Sequence, residues 1–187
     1  MTGPPRTIPA ALPRALWRRP GYPPAMPQMP AAGDPAPAIA LPDESGMLHR
    51  LADRGGEWTV VYFYPEDDTP GCTIEACEFR DSFASIRAEG AEVWGISPDD
   101  AGSHATFRAK FELPFTLLSD DGAAVATAYG AWVEKTREGR TYMGVQRSTF
   151  LVGPDGRIAH AWPAVRPEGH AAEVRSVLVA AKAQAAS

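Results

Sequence analysis

The chain has 187 residues, a formal net charge of −5, two cysteines and four histidines. That length holds one domain with a sizeable core and is too short for two. Charges of both signs are spread along the body without the clustered Lys and Arg of a nucleic-acid footprint, and no run approaches the roughly 18 apolar residues of a membrane span. Two cysteines and scattered histidines are too few for a cysteine-rich zinc site or a secreted disulfide scaffold, which leaves a cytosolic redox protein as the expectation.

Residues 1–31 are dense in proline, with Arg6, Arg14, Arg18 and Arg19 and no acidic residue before Asp34. Proline removes backbone donors and fixes φ, so a regular helix or strand is not expected here. A disordered extension and a translation start at Met26 or Met29 are the readings that composition favours. A transit peptide is the alternative, poor in hydroxyls and broken by proline. The domain is expected over 32–187.

Ala36 to Pro42 alternates like a short strand, Asp43 to Gly46 is a turn, and Met47 to His49 is its returning partner. Leu51 to Gly56 reads as a helical turn closing on glycines. Trp58 to Tyr64 has the apolar, β-branched and aromatic run of a buried central strand. A helix follows to about Ala88, then a buried strand at Glu92 to Ser97. Ser103 to Phe111 is expected as a helix with Ala105, Phe107 and Phe111 inward. Pro114 to Leu118 is a third strand and Ala123 to Tyr129 a short helix. Trp132 to Gly144 is polar and interrupted, a loop or irregular hairpin. Arg147 to Val152 and Arg157 to Trp162 flank the turn Gly153-Pro-Asp-Gly156 as antiparallel strands. Glu168 to about Ala183 closes the chain, with Val174, Val177, Leu178 and Ala181 on one helical face. The sum is an α/β domain with helices around a mixed sheet.

Chemistry concentrates in Pro65-Glu-Asp-Asp-Thr69-Pro70-Gly71-Cys72-Thr-Ile-Glu75-Ala-Cys77, which holds both cysteines. Pro70 and Gly71 turn the chain from strand into helix, so Cys72 falls in or just before the first helical turn. Unpaired backbone N–H groups and the helix dipole favour an anion there, and the thiolate is the reactive form of cysteine. Cys77 falls among Ile74 and Phe83 on the apolar face and, taken alone, reads as core. A permanent bond between the two has poor geometry: residues five apart in a regular helix have Cα atoms about 8.6 Å apart, and bridged cysteines need about 4.4–6.8 Å. Such a bond needs local unwinding and is therefore transient.

Thr69 has the position of a capping hydroxyl and also of a donor to a thiolate or bound oxygen. Pro65 ends a strand or roofs the thiol from water. Glu75 in the first turn reads as a match to the helix dipole or a cap contact. Arg147 is a strand-end cation, unless its strand lies beside the cysteine helix. There its permanent charge and planar fork of donors would favour the thiolate. His49, His104, His160 and His170 read as surface or turn positions.

The stretch Tyr62-Phe-Tyr-Pro65 through Thr69, Cys72 and Cys77 resembles the Pro-x-x-x-Thr-x-x-Cys signature of the peroxiredoxins. It is most similar to the Q-type, or bacterioferritin-comigratory-protein, subgroup. The resemblance continues through Gly95-Ile-Ser97, Phe115 to Asp120, Tyr129-Gly-Ala-Trp132 and Gly144-Val-Gln-Arg147-Ser-Thr-Phe-Leu151. It implies a thioredoxin-like fold with an N-terminal β-hairpin addition, and a peroxidase of hydrogen peroxide and organic hydroperoxides. By that resemblance Cys72 is the peroxidatic cysteine, Cys77 the resolving one, Thr69 and Arg147 the activating pair, and Pro65 the shield. Gly71 and Cys72 would supply backbone N–H groups to the peroxide alongside Thr69 and Arg147.

The implied cycle ends in reduction by thioredoxin or a glutaredoxin-type dithiol, with no metal or organic cofactor. The expected protein is a cytoplasmic monomer or weak homodimer with no nucleic-acid or membrane partner. A disulfide oxidoreductase would need Cys-x-x-Cys, and four residues separate the cysteines here. A redox sensor or holdase using the same pair without efficient turnover is the alternative.

Overall fold

The computed structural model describes residues 28–185. Strands β1 (Ala40–Pro42) and β2 (Leu48–Arg50) pair antiparallel, and a 3-10 turn at Leu51–Arg54 leads away from them. The main elements follow in order: β3 (Trp58–Phe63), α1 (Pro70–Ala88), β4 (Ala91–Ser97), α2 (Ala101–Phe111), β5 (Thr116–Ser119) and α3 (Ala124–Ala128). Then come β6 (Trp132–Arg137), β7 (Arg140–Val145), β8 (Ser148–Val152), β9 (Ile158–Trp162) and α4 (His170–Ala185).

Five strands form the central sheet in the order β5-β4-β3-β8-β9. β3, β4 and β5 run parallel, and β8 and β9 antiparallel, so β3 sits at the centre where its apolar run is buried on both faces. Successive side chains of a strand point to opposite faces. Val60 and Tyr62 accordingly join Phe79, Ile86, Val174 and Leu178 beneath α1 and α4. Val61 and Phe63 join Ile39, Leu41, Ala126 and Tyr129 beneath the β1–β2 hairpin and α3. This is the mixed, helix-flanked sheet of a thioredoxin-like fold, with the hairpin laid on one face.

Several local expectations need correction. Trp132 to Gly144 is a regular hairpin, β6 paired with β7 over six residues each, because cross-strand pairing outweighs its polar composition. Ala105 is exposed on α2 while His104 is fully buried. His170 is buried as well, so neither histidine is a surface residue. Neither burial is legible in the sequence, because a buried histidine breaks the apolar periodicity that marks a core face. Ile74 is 39% exposed, so α1 turns it outward while Cys77 is half-buried. Arg147 lies just before β8 rather than within it.

Part of the proline-rich stretch is docked. Met29 packs against the core beneath the hairpin, Pro30 is buried, and Ala31 N donates to Asp34 Oδ2 at 2.9 Å. The arginines at 6, 14, 18 and 19 and the start candidate Met26 lie outside the described residues.

Candidate active site

Helix α1 opens as its sequence requires. Thr69 stands at the N-cap in extended conformation, Pro70 fills the first helical position where no N–H is needed, and Thr73 N donates to Thr69 O at 2.8 Å. Cys72 is the third helical residue and is 2% exposed, against the aromatic core under α1. Its turn carries backbone N–H groups that have no intrahelical acceptor.

Arg147 arrives from the far end of the sequence. Because β8 pairs with β3, the residue preceding β8 lies beside the C-terminal end of β3, where α1 begins. Arg147 Nη2 donates to Cys72 Sγ at 3.1 Å, and Nη1 donates to Glu75 Oε2. The planar fork thus spans the thiol and a carboxylate one turn further along α1. Glu75 is 1% exposed, and burial pushes its carboxyl up to about 7 against the opposing pull of Arg147. Burial also works against the charge on Arg147, but Glu75 and Cys72 outweigh it and hold the guanidinium above its ordinary range. Gly71 makes room for this arrangement: a Cβ there would lie 3.3 Å from Arg147 Nη2 and 3.6 Å from Pro167 Cγ.

Thr69 is placed as expected but bonded differently. With Asp68 in the left-handed region (φ 54°), the chain doubles back and the Thr69 hydroxyl donates to the Glu66 carbonyl at 3.1 Å. It neither caps α1 nor bonds Cys72 Sγ, so its oxygen lone pairs are what it offers an incoming O–H. Pro65 is half-buried where the chain leaves β3. Cys77 lies on α1 five residues beyond Cys72, and both thiols are free. The helix is regular through both, which keeps them out of bonding range.

Two contributors were not read from the sequence. Glu75 reads in the sequence as a dipole match or cap contact, although an acid three residues after Cys72 shares its helical face. Lys135 of β6 bonds Val145 O at 2.5 Å, two residues before Arg147. Burial lowers Lys135, as does the charge of Arg147, while Cys72 works the other way. It braces the segment that delivers the guanidinium. Nothing in the polar run from Trp132 to Gly144 distinguished it.

A buried cysteine at a helix start, with an arginine donating to its sulfur on a thioredoxin-like sheet, defines a thiol redox protein. The sequence matches the AhpC/TSA family over residues 32–161. It is 43% identical over 146 residues to Peroxiredoxin Bcp of Bacillus subtilis, covering 78% of this chain and 93% of that one. The fold matches a PrxQ mutant from Xylella fastidiosa with a TM-score of 0.77 at 36% identity, over 82% of this chain and 97% of that one. It also matches the bacterioferritin comigratory protein of Xanthomonas campestris with a TM-score of 0.73 at 37% identity, over 76% and 90% of the two chains. The chain belongs to the AhpC/TSA family, among its Bcp and Q-type peroxiredoxins, and is a thiol-dependent peroxidase.

Proposed function

We propose that Cys72 is the peroxidatic cysteine and Cys77 the resolving one of an intramolecular two-cysteine cycle. The contact that carries this reading is Arg147 Nη2 on Cys72 Sγ, since it fixes a charged donor on the one sulfur buried at the helix start. The Cys72 thiolate attacks the terminal oxygen of a hydroperoxide in line with the O–O bond. A sulfur–oxygen bond forms, the O–O bond breaks, and the leaving oxygen takes a proton to depart as water or an alcohol. Arg147 and the N–H groups of the first helical turn stabilise the charge that builds on the departing oxygen. Thr69 accepts from the peroxide O–H, and Pro65 limits water at the mouth.

The Cys72 sulfenic acid then condenses with the Cys77 thiol, forming a disulfide and one water. A dithiol of the thioredoxin or glutaredoxin type reduces that bond by exchange, taking the disulfide itself. The substrate class includes organic hydroperoxides, as the alkyl peroxide reduction activity of the Xanthomonas campestris protein supports. We place the protein in the cytoplasm as a monomer or weak homodimer. Among the described residues no helix is long and apolar enough to cross a membrane.

Steady-state peroxide consumption with a thioredoxin system tests the cycle. Wild type should turn over many equivalents, Cys72→Ser none, and Cys77→Ser should stop after about one. Wild type stopping at one equivalent would instead make the pair a redox sensor or holdase.

A further inference from the structure

The loop that carries Pro65 and Thr69 is held from outside the reacting group by a buried polar network centred on Asp67. Asp67 is 8% exposed and accepts three side-chain bonds: Tyr64 Oη on Oδ1 at 2.7 Å, Ser103 Oγ on Oδ2 at 2.7 Å and His104 Nδ1 on Oδ2 at 2.8 Å. Its own N–H donates to Asp99 Oδ2 at 2.9 Å, and that oxygen also accepts from Ser97 Oγ at 2.6 Å. The next residue, Asp68, holds a left-handed backbone that costs a non-glycine residue energy, and Lys110 Nζ grips its carboxylate at 2.5 Å. Ser103, His104 and Lys110 all belong to α2.

A buried carboxylate facing a buried imidazole is expensive to desolvate, and apolar residues would pack there at lower cost. What the network does provide is a fixed loop. The same helix also holds the other side of the cysteine segment, where Arg80 Nη1 donates to Phe111 O at 3.0 Å. Helix α2 therefore grips the chain at Asp67 and at Arg80, and the two cysteines lie between the grips.

We propose that His104 is a positioning residue for the peroxidase reaction. Through Asp67 it fixes the 65–69 loop, so that Thr69 and Pro65 stand in register with Cys72, and it latches the N-terminal end of the segment that unwinds for Cys77 to reach the oxidised sulfur. This rests on the assignment of Cys72 and Cys77 made above. Loosening the latch has opposite effects on the two steps. Oxidation slows because the loop no longer meets the peroxide in place, and disulfide formation quickens because the helix start is freer to unwind.

The experiment uses the full chain, hydrogen peroxide, rapid acid quench and mass spectrometry to follow sulfenic acid and disulfide separately. His104→Phe removes the donor, while His104→Asn keeps an amide N–H near the Nδ1 position. In His104→Phe, Cys72 oxidation is expected to slow about tenfold or more, within the range that a 1 Å misplacement produces, while disulfide formation speeds up severalfold. His104→Asn should restore both rate constants to near wild type. A purely structural histidine would lower the melting temperature without splitting the two steps in this way. Folded His104→Phe with both constants unchanged, or both reduced, overturns the proposal. If His104→Phe does not fold, Asp67→Asn, which keeps the shape and weakens the same bonds, must show the same split or the proposal fails. A wild type that forms no sulfenic acid at Cys72 would overturn the underlying cysteine assignment instead.

Discussion

Arg147 Nη2 lies 3.1 Å from Cys72 Sγ, although 75 positions of sequence separate the two residues. The same guanidinium bonds Glu75, so a single side chain joins the thiol, the cysteine helix and the start of β8. Removing it does two separable things. Arg147→Ala should slow Cys72 oxidation about 10²-fold, the scale of a lost charge-stabilising donor. It should also destabilise the fold by about 3 kcal/mol, because Glu75 is left buried without its partner. Arg147→Ala combined with Glu75→Gln should recover much of the stability and none of the rate. Peroxide kinetics and thermal melts on the three variants check this.

Acid stability should report on His170. Burial pushes this imidazole down to about 4, with Glu173 and Glu78 opposing and Arg147 assisting, and its Nε2 lies 2.8 Å from Thr149 Oγ1. The unfolded chain protonates the residue near its ordinary value of about 6.5, while the folded chain does not until about 4. His170 therefore weighs against the folded state progressively as pH falls from 6.5 to 4, and not above that window. Melting temperatures of wild type and His170→Gln across pH 4–8 should show wild type losing more over that interval. Parallel curves would contradict it.

Oxidation should loosen α1 over a short stretch. Ile74 already faces solvent, so unwinding the first turns exposes mainly Cys72, Glu75 and Ala76. Phe79 is fully buried, stacked on Tyr62 with ring centroids 4.8 Å apart, and should mark where unwinding stops. Amide exchange in the disulfide form should quicken from about Thr69 to Glu78 and stay slow beyond Phe79, and reduction should reverse it. Full protection of the helix in the oxidised form would contradict the cycle.

Truncation should find its limit near Gln28. A chain beginning there keeps Met29 against the core and the Ala31–Asp34 turn, and should retain wild-type melting temperature and rate. One beginning at Gly33 loses that packing and should be about 1–2 kcal/mol less stable, the scale for uncovering a partly buried apolar side chain. Equal melting temperatures for the two would mean that the docked residues contribute nothing.

The parts of this molecule that were legible in its sequence are those carried by local pattern. Trp58 to Tyr64 announced the central strand, and Pro70 and Gly71 ahead of Cys72 announced the helix start. What lay hidden depends on distant pairing. Nothing near Glu75 says that its carboxylate meets Arg147, since only the β3–β8 register brings them together. His104 is unreadable for the same reason, because its partner Asp67 lies 37 positions away and a lone histidine next to Ser103 looks solvated. The Trp132–Val145 hairpin was obscured by charge, as most of its side chains stay exposed and only its Trp132 and Val145 end packs on the core.

The central claim is that Cys72 and Cys77 close a disulfide within one chain. Mass spectrometry after one equivalent of hydrogen peroxide, on wild type, Cys72→Ser and Cys77→Ser, tests it most directly. Wild type should lose the mass of two hydrogens and yield a peptide pair linked through Cys72 and Cys77. Cys77→Ser should gain one oxygen at Cys72, and Cys72→Ser should remain unchanged. A disulfide between two chains in wild type, or oxidation that starts at Cys77 when Cys72 is absent, would contradict it.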